Sequence, residues 1–173
     1  MRCFKYADFK YARNNCNNAY VRHVLDNIPI MGRHKRVLLD IKVHDLQPGD
    51  VPCVSGWHLD GSINPNALPK RPETFALFVT SEHATTQFLD TPINLEVNDS
   101  WNFATMSQRC ARMIPDGHPT LSIPSCQFMI YDDHYFHRGP TVDRPTKRLL
   151  VRTTETDIIK PRNRIYDPYT KHE

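Results

Sequence analysis

Residues 36–44 set Val37, Leu39, Ile41 and Val43 against Asp40, Lys42 and His44, the two-residue period of a half-buried strand. Gln47, Pro48, Gly49 and Asp50 then supply a turn. Strand-like runs follow at 75–80 (FALFVT), 84–89 (ATTQFL), 93–97 (INLEV), 126–131, 135–138 and 147–154. Helical spacing occurs twice. Tyr20, Val21, Val24 and Leu25 predict a helix within 17–27. Phe103, Met106, Cys110 and Met113 predict a second over 103–113, closed by Pro115, Asp116 and Gly117. About eight short strands with Pro-, Asn- and Asp-rich turns favour a sandwich or barrel over a parallel α/β sheet. The expected fold is mainly β, a double-stranded β-helix (jelly-roll) barrel with one or two flanking helices.

The 173 residues, 39% hydrophobic and 24% charged, suit one folded domain. Residues 37–157 would form its barrel core, with 1–36 and 158–173 as terminal extensions. No apolar run nears the roughly 18 residues of a membrane span, and the first twenty residues lack a secretory core. Five widely spaced cysteines with no C-x-x-C pair argue against a disulfide framework or zinc knuckle and for free thiols in a reducing, cytoplasmic setting. The net charge of +3 is unevenly spread. Residues 1–50 have nine Lys/Arg against five Asp/Glu, 51–137 four against nine, and 138–173 nine against five. Basic ends of this kind can draw an anionic partner such as nucleic acid, although a solvated surface of mixed sign gives the same counts.

Three segments can bear chemistry. In a strand, residues two apart face one side, so His58 and Asp60 can reach one point and offer an imidazole and a carboxylate to a divalent first-row metal. The H-x-D pattern alone has little specificity. Residues 131–140 follow an apolar strand, turn at Asp132 and Asp133, and offer His134 in the turn and His137 in the next strand. His137 is the better third ligand. In 147–154, Arg148, Leu150, Arg152 and Thr154 share one face and Leu149, Val151 and Thr153 the other. Two arginines on a face that should otherwise be apolar would be costly to bury without anionic partners; a bound dicarboxylate matches the guanidinium fork, and solvent or acidic side chains are the alternative.

Taken in this order, His58-Leu59-Asp60, His137, and Arg148 eleven residues later resemble the iron(II)- and 2-oxoglutarate-dependent oxygenase superfamily over roughly residues 37–157. The resemblance implies a double-stranded β-helix holding Fe(II) through His58, Asp60 and His137, with open positions for 2-oxoglutarate and dioxygen. It also implies oxidative decarboxylation to succinate coupled to oxidation of a substrate C–H bond. Arg148 would take the far carboxylate of 2-oxoglutarate. Many members carry Ser or Thr two residues after that arginine, and only Arg152, followed by Thr154, has this pattern, so both arginines stay open with spacing favouring Arg148. Tyr131 is a candidate hydrogen-bond donor to the same co-substrate.

The loop 61–74 reads either as a lid over the metal or as a rigid surface connection, and Trp57 as core packing. His83 and His118 read as exposed turn residues. The basic, aromatic tail 160–173 offers contact to phosphates and bases. A metal-dependent cupin isomerase, epimerase or lyase without 2-oxoglutarate, and a non-catalytic β-barrel binding module, are the competing functions. The substrate class stays open between small molecule, protein side chain and nucleic acid, with no membrane partner.

Overall fold

A computed structural model describes residues 1–52, 56–60, 72–91, 93, 109, 112–115 and 117–166. The chain opens with β1 (Cys3–Asp8), α1 (Phe9–Asn15) and α2 (Ala19–Asn27), then continues through β2 (Arg36–Leu46), β3 (Thr74–Val79) and β4 (Gln87–Leu89). It ends with β5 (Thr120–Ser122), β6 (Phe128–Asp132), β7 (His137–Arg138), β8 (Thr146–Thr156) and β9 (Arg164–Tyr166). The strands form a six-stranded sheet in the order β6-β3-β8-β2-β1-β9 and a three-stranded sheet in the order β5-β4-β7. Every pairing is antiparallel.

At the centre of the large sheet β2 and β8 pair over their full length, from Arg36 opposite Thr156 to Leu46 opposite Thr146. Alternation along these strands makes two unlike faces. Leu39 and Ile41 of β2, Ala76 and Phe78 of β3, and Val151 of β8 pack against Val21, Val24 and Leu25 of α2. On the other face Phe75, Leu77, Val79 and Leu150 meet Phe88 of the small sheet and Ile123, just beyond β5. Each fully buried aliphatic or aromatic side chain in these layers contributes on the order of 1.5–3 kcal/mol. A helix layer and a strand layer thus sandwich the large sheet, and the polar residues of its inner face look toward the small one.

Both helices begin at side-chain caps. Asp8 accepts a hydrogen bond from Tyr11 N at 3.0 Å, and Asn18 from Val21 N at 3.0 Å. The 17–27 expectation matches α2 apart from its first two residues. The sequence reading missed α1, which buries only Ala12 and therefore has no apolar stripe to detect.

Several expectations change. The fold is mainly β with antiparallel sheets, but among the described residues the sheets are not closed into a barrel. Two eleven-residue strands make one sheet dominant, and β1 and β9 widen it instead of being shared with the small sheet. Those two strands come from segments expected to be extensions; Cys3, Phe4 and Ala7 of β1 are fully buried. The strand expected over 84–89 is confined to β4, because Ser81 Oγ accepts from Ala84 N at 2.9 Å and holds a bend. The strand expected over 135–138 is confined to β7, since Asp132 binds His134 N and Tyr135 N and extends the turn.

Most of the expected 93–97 strand, 103–113 helix and 61–74 loop lies outside the described residues, as do Cys53, Cys110 and the end of the tail. Arg109, Arg112 and Met113 are helical. Cys16 and Cys126 are free thiols. Among the described residues no helix is long and apolar enough to cross a membrane.

Candidate metal centre

β7 places His137 beside His58 through a reciprocal backbone bridge. His58 N donates to His137 O at 3.0 Å, and His137 N donates to His58 O at 2.9 Å. Residues directly opposite across a bridge share a face, and the two rings lie 4.4 Å apart at their centroids. His58 Nδ1 lies 3.0 Å from Gly56 O, and His137 Nδ1 lies 3.1 Å from Tyr135 O. A carbonyl only accepts, so Nδ1 is the donor in both rings, and Nε2 is the nitrogen that could meet a metal. Asp60 then brings its carboxylate to the pair, with Oδ2 3.2 Å from His137 Nε2. One ligand atom from each of His58, Asp60 and His137 lies within 4.8 Å of the other two.

This donor set fits a divalent metal. Two imidazoles held by backbone carbonyls and one carboxylate are three protein ligands, and the carbonyl contacts are the outer-shell bonds that fix a ligating histidine. At metal–ligand distances of roughly 2.1 Å, neighbouring donors at right angles stand about 3.0 Å apart, close to the 3.2 Å found between Asp60 and His137. His134 does not join them. It stays in the turn, largely exposed, and faces Asp132 and Asp133 at 3.4 and 3.3 Å.

Arg152 reaches across the inner face of β8 to two acids. Its Nη2 donates to Asp40 Oδ2 at 2.8 Å and its Nη1 to Asp60 Oδ2. Tyr131 OH donates to Asp60 Oδ2 at 2.7 Å. Among the described residues these contacts all fall on Oδ2. Burial by itself would raise the Asp60 carboxyl, but Arg152 and His137 outweigh it and hold the group well below the usual carboxylate range. Burial, and then the Asp60 charge, push the Tyr131 phenol well above its ordinary value, so it remains a donor. Burial, followed by the neighbouring His137, pushes His58 down to about 4, so that proton competition for its Nε2 is weak at neutral pH.

A cavity of about 340 Å³ opens over this centre between the sheets. Arg148, only 2% exposed, lines the same cavity and donates through Nη2 to Thr86 Oγ1 at 3.0 Å. Arg152 pairs with Asp40 and Asp60, and Arg148 lines the cavity from the same strand face. Thr154, the other half of the Arg-x-Thr pattern, also lines it.

Asp40, Thr86, Tyr6 and Lys42 were not legible as site residues. Asp40 sits directly opposite Arg152 in the β2–β8 register, a pairing that alternation within either strand cannot reveal. Trp57 is buried with Ile114 and Phe136, as expected for packing, and the Arg138 guanidinium lies 4.4 Å over its ring. His83 is exposed, but His118 is half-buried and meets Thr91 Oγ1 at 3.0 Å.

No protein-family model, curated protein or solved structure matches this chain. Function is therefore read from the cavity.

The inner face also sets an acid sensitivity. Burial, then Arg148 and Lys42, push His44 down to about 4. A histidine with a lowered folded pKa binds fewer protons than its unfolded counterpart, near 6.5. Its stabilising contribution is present above pH 6.5 and is lost as pH falls toward 4. Urea titrations of the metal-free chain between pH 7 and pH 4.5 are expected to show falling stability. His44→Gln should flatten part of that slope, and an unchanged slope would mean that His44 titrates normally.

Proposed function

We propose that the chain is a non-haem Fe(II)- and 2-oxoglutarate-dependent dioxygenase that hydroxylates or demethylates its substrate, on a double-stranded β-helix scaffold whose two layers are the six- and three-stranded sheets. The observation that supports this most is the convergence of one ligand atom each from His58, Asp60 and His137 in a cavity that Arg148 also lines.

His58, Asp60 and His137 would hold the metal on one side, leaving the cavity side open. With its co-substrate and dioxygen, ferrous iron bound there supplies an oxidant for a substrate C–H bond, while 2-oxoglutarate is converted to succinate and carbon dioxide. The chain's own residues set the geometry. Gly56 O and Tyr135 O fix the two ring orientations. Arg152 and Tyr131 hold Asp60 by one oxygen and keep it ionised. Thr86 orients the Arg148 fork, which pairs with the far carboxylate of 2-oxoglutarate. Phe75, Leu77 and Leu150 give the cavity apolar walls that limit water near the reacting atoms.

Anaerobic titration with Fe(II), with and without 2-oxoglutarate, tests this reading. A weak visible charge-transfer band is expected only when both are present, and aerobic turnover should release succinate. No band overturns the proposal, and turnover independent of 2-oxoglutarate would instead favour a cupin-type isomerase or lyase. Arg148→Ala should weaken 2-oxoglutarate binding by about 30-fold or more, since truncating one partner of a buried charge pair costs roughly 2 kcal/mol or above. Metal affinity should be spared. If Arg152→Ala has that selective effect instead, the roles of the two arginines are exchanged.

A further inference from the structure

We propose that the substrate carries phosphate, and that Lys5, Lys42 and Arg164 hold it at the mouth of the cavity. Lys42 lies on the inner face of β2, half-buried, two residues beyond Asp40. Its ammonium lines the cavity yet makes no hydrogen bond or ion pair among the described residues. Burial and the nearby Arg152 both work against that charge. Lys5 joins the wall from β1 and stands directly opposite Arg164 of β9. Side chains at opposed positions share a face, and like charges so placed repel unless an anion lies between them. Tyr6, the neighbour of Lys5, takes φ +49° where β1 bulges, and its ring has the Arg162 guanidinium 5.7 Å from the centroid. Basic residues therefore run from the β1–β9 edge into the cavity.

The charge balance asks for an anion under any occupancy. Among the described residues, Lys5, Lys42 and Arg152 of the wall and Arg164 opposite Lys5 stand against Asp60 and the Asp40 behind it, which leaves two positive charges. A divalent metal adds two, and a dicarboxylate co-substrate removes two. The surplus at the mouth is the same with both bound as with neither. A single carboxylate answers only half of it, whereas a phosphate monoester brings about −1.5 to −2 and three acceptor oxygens. Lysine ammonium groups are suited to phosphate as point charges. The phosphate can belong to a small monoester or to a single-stranded phosphodiester backbone. The inference rests on the oxygenase reading for what happens to the bound molecule, but the binding step itself requires no iron.

The test titrates the full chain with thymidine 5′-monophosphate and with a single-stranded oligothymidylate, first with chelator and then with Fe(II) under anaerobic conditions, at low and raised salt. At least one probe should bind without metal and weaken as salt rises. Saturation by the monophosphate identifies a small monoester, and binding of the oligonucleotide alone identifies a backbone. Lys42→Gln and Lys5→Gln should each reduce affinity by about fivefold or more. Lys5 is exposed, so its variant reports even if Lys42→Gln folds poorly. Absence of binding by both probes, or binding unaltered in Lys5→Gln, overturns the proposal. A probe that binds where no Fe(II)/2-oxoglutarate band forms would uphold the phosphate site and remove the oxygenase reading; a band without probe binding would do the reverse.

Discussion

Replacing His137 is expected to lower ferrous-iron affinity by at least ~100-fold, beyond the 10–100-fold typical of losing an outer-shell partner. The His137 ring is 4% exposed and sits among Phe88, Tyr131 and His58, with centroids 4.4–5.3 Å away. His137→Ala therefore removes packing as well as a ligand. His137→Gln keeps most of the volume while removing the imidazole, and it separates the two losses. Equilibrium dialysis of anaerobic Fe(II), with circular dichroism to confirm folding, gives the measurement. His134→Ala should leave the affinity unchanged, because that side chain faces the Asp132–Asp133 turn. Undiminished iron binding in a folded His137→Gln would sink the metal centre and leave only the antiparallel β scaffold.

The legible part of the site and the hidden part have different physical origins. Strand pattern is a local property, so β2 and β8 could be read from alternation and β3 from its apolar run, and period two put Arg148 and Arg152 on one face. The preference for His137 over His134 followed likewise from its place beyond the turn. Long-range register was not available. Asp40 faces Arg152 across 112 positions of chain, and Lys5 faces Arg164 across most of it. β1 hid because it is short and bulged, and β9 because three mostly exposed residues produce no hydrophobic pattern. Closure of the sheets is a matter of strand pairing rather than strand content, and content was all that the sequence pattern contained. The H-x-D motif was placed on a regular strand, whereas His58 forms one isolated bridge and Asp60 stands outside any strand. The two still converge, because the bridge to His137 sets the ring and Arg152 holds the carboxylate.

Arg152→Met is expected to destabilise the metal-free fold by about 3–5 kcal/mol, the usual cost of breaking a buried ion pair by removing one partner. Asp40 is 3% exposed and would keep, among the described residues, only Tyr6 N, at 2.8 Å, as a hydrogen-bond donor to its carboxylate. Asp60 would keep Tyr131 and His137. Urea denaturation in chelator measures the loss, and a cost below about 1 kcal/mol would mean that solvent screens the triad as it does a surface pair. Asp40→Asn in the same background should recover part of the stability, since it removes one of the two stranded charges. The acid side should change as well. In the native chain the lowered Asp60 pKa contributes stability that is present above the ordinary carboxyl value and lost as pH falls through the folded one. Without Arg152, burial raises that carboxyl, the folded state takes up the proton first, and acidification relieves part of the defect. Metal affinity should hold or increase in the same variant, because a cation competing for Asp60 has gone. Falling stability together with undiminished 2-oxoglutarate binding would distinguish an arginine that holds Asp60 and Asp40 from one that binds the co-substrate.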